Sequence, residues 1–310
     1  MKTNISLILI LCLLLGACKN GNASSQSKSE TPQDTIKAIK MPAIQMMTAP
    51  EQRADFLAKH YWDNVNFADT NYIHHPEVTE QAWADYCDLL NHVPLETAQQ
   101  AMRNVIDRTN VDKKVFTYIT DLADKYLYDP NSPMRNEEFY IPVLEAMIAS
   151  PVLNETEKIR PQARLKLAQK NRIGTKALNF TYTLASGAQG SLYQLKAEYL
   201  LLFINNPGCQ ACTETIEGLK NAPIINQLLQ EKKLVLLSIY PDEELDEWKK
   251  HLSEFPNEWI NGYDKKFTIK EEQVYDLKAI PTLYLLDKDK TVLLKDATAP
   301  TIEAYLMQHQ

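Results

Sequence analysis

From Glu51 to about Gln169, apolar side chains recur every three or four positions, the period of a helix with one buried face. In residues 79–93, TEQAWADYCDLLNHV, the positions Trp83, Tyr86, Cys87 and Leu90 follow the i, i+3, i+4, i+7 spacing, and Thr79 and Glu80 supply start signals. Similar stripes run through 51–65, 95–108, 113–128 and 136–150, punctuated by Pro94, Pro130, Pro133 and Pro151. Strand-like alternation is scarce here, and no fixed-period repeat marks a solenoid. Residues 51–170 therefore read as a small all-α domain.

After Asn171 the pattern changes. Residues 171–195 mix alternating positions with Gly turns, and 197–205, AEYLLLFIN, is a continuous apolar run suited to a buried central strand. A helical stretch over 212–233, interrupted near Pro223, leads to a second apolar run, LVLLSIY. Residues 241–252 open with acidic side chains and close with Lys249, Lys250 and His251, the polarity that suits a helix dipole. A further helix is predicted over 268–277, then two strands within 280–296 around a turn at Asp287 to Lys290, and a last helix over 300–308. The order βαβα followed by αββα specifies an α/β domain over 171–310, a central mixed sheet flanked by helices.

Composition agrees with two domains. The 310 residues, 45% hydrophobic and 24% charged, exceed one comfortable core. A net charge of -7 with no basic stripe argues against a nucleic-acid partner. At the N-terminus, Lys2 precedes the apolar run 5–15, about half of the ~20 residues a spanning helix needs, as in the h-region of a signal peptide. The run ends in Leu15-Gly16-Ala17-Cys18, which resembles the lipobox of bacterial lipoproteins. That resemblance implies a signal peptide over 1–17, lipidation of Cys18, and a chain anchored to a bacterial membrane of the cell envelope, facing the periplasm. A plain secretory signal with an incidental cysteine is the alternative. Residues 18–50 are polar and Ser-rich and read as a flexible tether, with Met41, Met46 and Met47 docking its end onto the helical domain. Export leaves Cys87, Cys209 and Cys212 as thiols where disulfides persist.

The stretch 205–212, NNPGCQAC, sets two cysteines three apart at a strand-to-helix junction. Unpaired backbone N–H groups and the dipole at the helix start favour a thiolate on Cys209. Cys212, nearly one turn further, is placed to attack a mixed disulfide on Cys209 and release the partner. A proline at a strand start, Pro281 within Ile280-Pro281-Thr282, costs no ladder hydrogen bond. With PGCQAC after the first central strand and IPT before a later one, residues 177–310 resemble the thioredoxin-like fold, especially the membrane-tethered TlpA and ResA type of disulfide reductase. The resemblance implies that a cis-proline loop at Pro281, with Gly208, Ile280 and Thr282 beside it, faces the cysteines and pairs with the partner's backbone. It implies no bound cofactor. Its partners are exported thiol or disulfide proteins and, for a reductase, a membrane electron donor. The helical part looks like an uncharacterised domain found ahead of such modules in some bacterial lipoproteins.

The chain departs from that pattern at four places. Gly208 stands where the family usually has Trp, Gln210-Ala211 where it often has Gly-Pro, Phe203 where thioredoxins often bury an acid, and Thr215 where the ResA type has one. Glu214 and Glu217 are the nearby substitutes. A structural disulfide in a non-catalytic binding lipoprotein is the rival reading. Zinc lacks a second ligand pair, since the histidines after Asn171 are His251 and His309. Thr213 removes the histidine of a haem-attachment motif, and Asn206 stands where a peroxiredoxin wants Thr. Cys87, on the apolar face of its helix, reads as a packing residue, the run Tyr61, Trp62, Phe67 and Tyr72 as core or inter-domain packing, and His74, His75 and His92 as loop residues rather than ligands.

Overall fold

A computed structural model describes residues 38–44, 47 and 49–309. The signal segment, Cys18, most of the tether and Met46 lie outside the described residues. Met41 is exposed, and it is Ile39 that packs on the helical core, while Lys40 O accepts from the Asn64 side chain at 2.8 Å.

The helical part comprises α1 (Pro50–His60), α2 (Pro76–Leu90), α3 (Leu95–Arg108), α4 (Lys113–Ala123), α5 (Glu137–Ala149) and α6 (Glu155–Ala168). Side-chain caps fix three of the starts by taking up N–H groups with no intrahelical acceptor. Asp112 accepts from Lys114 N and Val115 N, Asn136 from Phe139 N, and Asn154 forms a capping box with Glu157. The α2 stripe enters an aromatic core, where Trp62 lies 6.1 Å from Trp83 and 5.6 Å from Tyr86, centroid to centroid. Tyr61 and Phe67 are buried in the same cluster, Tyr72 packs at its edge, and Cys87 is buried within it.

The second part contains β1 (Thr181–Leu184), β2 (Gln189–Ser191), β3 (Tyr199–Ile204), α7 (Gln210–Lys220), α8 (Pro223–Gln230), β4 (Leu234–Tyr240), α9 (Leu245–His251), β5 (Ile260–Tyr263), α10 (Thr268–Glu271), β6 (Thr282–Asp287), β7 (Val292–Lys295) and α11 (Ala299–Gln308). The strands form one sheet in the order β2-β1-β5-β4-β3-β6-β7, with β3 parallel to β4 and antiparallel to β6. Successive residues of β3 enter different layers. Leu201 and Phe203 pack with Ile216, Leu219 and Ile302, whereas Leu200, Leu202 and Ile204 pack with Phe180, Ile269 and Tyr275. Burial on both faces is why the run carries no alternation.

The sequence pattern leaves one strand unpredicted and overruns one helix. The segment 260–263 is strand β5, parallel to β4 and antiparallel to β1. Its INGY sequence gives no strand signal because Gly262 is dictated from outside: a Cβ there would meet the Tyr182 ring at 2.9 Å. The helix expected over 268–277 is only the single turn α10, bracketed by Phe267 and Gln273 with φ of 55° and 50°. A left-handed residue ends a helix. Beyond it the chain drops Tyr275 into the core, its hydroxyl donating to Leu178 O at 2.8 Å.

The two parts share an interlocked boundary. Asn171, left-handed and buried, donates from Nδ2 to Val274 O and accepts from Leu178 N, each at 2.7 Å. Lys278 Nζ meets Asp276 at 2.6 Å, and Glu137 of α5 and Asp296 at 3.4 Å each, while Glu137 also pairs with Lys295. Burial works against the Lys278 charge, but Asp296, Glu137 and Asp276 outweigh it and hold the ammonium above its ordinary pKa. Lys278 lies three residues before Pro281, so α5 is bolted to the loop that carries the proline.

Candidate functional site

Strand β3 ends where Asn205 clips it to β4, donating from Nδ2 to Ser238 Oγ at 2.8 Å. The chain then turns through Pro207 and Gly208, the latter at φ 69° with open space where a Cβ would lie. This is a physical account of the missing tryptophan, because any L side chain at that backbone conformation is strained. Cys209 follows as the N-cap of α7, half-buried, its Sγ 3.3 Å from the backbone N–H of Cys212. That N–H is one of the donors the first turn leaves without a carbonyl, and it faces the sulfur.

Across from it, the Ile280–Pro281 peptide is cis, and Cys209 Sγ lies 3.7 Å from Ile280 O, within reach of a thiol hydrogen bond. Thr282 is buried, and its hydroxyl donates to Ala279 O at 2.6 Å, so it shapes the turn behind Pro281. The structure thus brings Gly208, Cys209, Cys212, Ile280 and Pro281 to one end of β3 and β6, with Thr282 one layer beneath.

Cys212 is 2% exposed. Burial first, and then the neighbouring Cys209, push its thiol up to about 12, against a smaller opposing pull from the Asn206 backbone N–H. Neither glutamate suggested as a proton partner approaches it: Glu214 is exposed and holds Gln210, and Glu217 is exposed and pairs with Lys220. Phe203 fills the buried acid's position with an apolar ring set edge-on to Trp259. Cys87 belongs to the helical core, where burial pushes its thiol up as well, and Cys87, Cys209 and Cys212 are all free thiols.

One network escaped the sequence reading. Asn206 Nδ2 donates to Asp242 Oδ2 at 2.8 Å, and Lys270 Nζ donates to Asp242 Oδ1 at 2.7 Å. Burial raises the Asp242 carboxyl, but Lys270 and Asn206 outweigh that and leave it below the usual range. The loop after β4 is thereby tied to the residues before the cysteines. No local pattern announces this, since the three side chains meet only through the sheet order. Beside the cysteines runs a groove of about 670 Å³, lined by Ala211, Thr215, Ile280 and Pro281 and, from the helical part, by Asn131 and Arg135. Among the described residues no cluster of His, Cys, Asp and Glu is arranged to hold a metal, and no helix is long and apolar enough to cross a membrane.

A cysteine pair at the N-terminus of the first helix after a central strand, opposite a cis-proline on the neighbouring strand, defines a thioredoxin-like domain. Comparison with known proteins agrees. A thioredoxin-like family model matches residues 197–292, and the model of a domain of unknown function, DUF5106, matches residues 17–171, half of the chain. The crystal structure of a thioredoxin-like protein from Bacteroides caccae is 83% identical, covers 89% of this chain and 100% of its own, and superposes with a TM-score of 0.87. The C-terminal domain of an uncharacterized protein from Bacteroides fragilis is 69% identical over 44% of this chain and 98% of its own, with a TM-score of 0.44. No curated protein matches the sequence. The chain belongs to the thioredoxin-like family, with a DUF5106 domain ahead of the thioredoxin-like one.

Proposed function

We propose that this protein is a membrane-anchored thiol–disulfide oxidoreductase of the TlpA and ResA type, exchanging disulfides with exported proteins in the reductase or isomerase direction. The observation that carries the reading is the position of Cys209 Sγ, half-exposed at the N-cap of α7, facing the Cys212 N–H and 3.7 Å from Ile280 O beside the cis-proline. The Cys209 thiolate attacks one sulfur of the partner's disulfide, forms a mixed disulfide and expels the other sulfur as a thiolate. Cys212 then loses its proton and attacks Cys209, so the Cys209–Cys212 disulfide forms and the partner's second thiol leaves. Two electrons have passed to the partner, and a membrane-associated dithiol donor restores the pair. Pro281 and Ile280 present backbone to the partner chain, and lipidated Cys18 holds the molecule at the envelope.

The Cys212→Ser variant, able to attack but not to resolve, accumulates mixed disulfides between Cys209 and partner proteins. If non-reducing gels show none in any redox buffer, the exchange reading fails. For the anchor, Cys18→Ala shifts the protein from the membrane fraction to the soluble one; an unchanged distribution refutes lipidation at that position.

A further inference from the structure

The exchange chemistry above uses no residue of the helical part, yet that part supplies one side of the groove beside the cysteines. Pro130, Asn131 and Arg135, from the segment between α4 and α5, face Ala211 and Thr215 of α7 and the Ile280–Pro281 turn. That wall is fixed rather than loosely apposed. Arg135 donates to Asp296 O at 2.8 Å, and Glu137, two residues on, ties into the buried Lys278 and Lys295 pairs.

We propose that the helical domain is the partner-selecting half of the exchange site, admitting an extended, cysteine-bearing segment of an exported protein along this groove. The inference rests on the exchange reading and adds the wall to it. Geometry links the two. A mixed disulfide holds the partner's cysteine within one bond of Cys209, and an extended chain advances about 3.3 Å per residue. The flanking residues therefore pass over Ala211, Ile280 and Pro281, where the groove begins, and meet the helical wall within a few positions. The groove's size is that of a site for a short segment rather than a folded surface.

Its chemistry narrows the occupant. Pro130, Ala279, Ile280, Pro281 and Leu283 make much of the lining apolar, while Arg135, Lys278 and Asp296 are engaged with one another or with the buried cluster. Glu214 is the exposed charge at the α7 rim. A segment with uncharged or basic residues around its cysteine fits such a channel, and an acidic one meets repulsion without a free cation among the described lining residues.

The test uses the reduced full-length chain and two neutral probes: hydroxyethyl disulfide, and the disulfide dimer of an uncharged peptide of about eight residues with a central cysteine. Asn131 is exposed, its side chain makes no hydrogen bond among the described residues, and Asn131→Trp places bulk in the groove without entering a core. The quantity read is the ratio of second-order rate constants, peptide over small disulfide. We expect Asn131→Trp to lower that ratio roughly tenfold, the equivalent of about 1.4 kcal/mol of lost partner binding, while Lys114→Trp, exposed on α4 away from the groove, keeps the wild-type ratio. An unchanged ratio in Asn131→Trp, or an equal fall in Lys114→Trp, overturns the proposal. A wild-type chain that reduces neither probe overturns the exchange reading itself and the inference with it.

Discussion

Burial of Cys212 makes a kinetic prediction. An unperturbed cysteine titrates near 8.5, so at pH 7.5 about one thiol in ten is ionised. Burial first, with the free Cys209 beside it, raises Cys212 to about 12, where roughly one in thirty thousand is, and burial, the larger cause, persists when Cys209 is held in a mixed disulfide. Only the thiolate attacks, so resolution starts with a large handicap, which the adjacency of the two sulfurs offsets through an effective concentration of the order of 10⁵ M or more. Among the described residues no carboxylate is hydrogen-bonded to Cys212 to take the proton. Below the raised pKa the ionised fraction grows tenfold with each pH unit. The resolving step therefore accelerates about tenfold per unit from pH 6 to 9.5 and does not level off near 8.5. Reduced protein mixed with excess dithiodipyridine separates the events by absorbance: a first thiopyridone release, proportional to reagent, reports attack by Cys209, and a second, independent of reagent, reports Cys212. A second phase that flattens with a midpoint near 8.5 would refute the argument, because it would mean that the thiol is solvated when it reacts.

Further outcomes follow from the same geometry. Gly208→Ala meets no steric obstacle, only the cost of a left-handed backbone with a Cβ, so the urea midpoint should fall by the equivalent of about 1–2 kcal/mol; no loss would mean that the turn relaxes. Cys87 resists alkylation until the helical core is unfolded, and Cys87→Ala costs about 1 kcal/mol while leaving exchange rates intact. A loss of exchange in that variant would instead make Cys87 a relay.

Helices α2, α3 and α4 were legible because each lies on a one-sided core and so writes its burial as a period, as Trp83, Tyr86, Cys87 and Leu90 do, whereas α5, buried at every position from Phe139 to Leu144, and α6, with only Pro161 and Ala168 buried, carry no such stripe. The apolar runs of β3 and β4 were legible for the opposite reason, being covered on both faces. The cysteine pair could be placed on a helix start, and Pro281 on a strand start, from their immediate neighbours alone. Strand β5 could not be read, since its pairing is set by β1 and β4 and its glycine by Tyr182. Nor could the early end of α10, where Gln273 turns left-handed and Tyr275 enters the core, 97 residues from its acceptor Leu178.

The sequence by itself determined what each segment does locally: which residues seek burial, where helices start, and which two sulfurs stand one turn apart. Only the tertiary structure decided what those sulfurs face. It set Ile280 O against Cys209, buried Cys212, and made Asn131 and Arg135 neighbours of α7. Such adjacencies are settled by sheet order and by the buried pairs joining the two parts, interactions between residues far apart in the chain that leave no periodic trace along it.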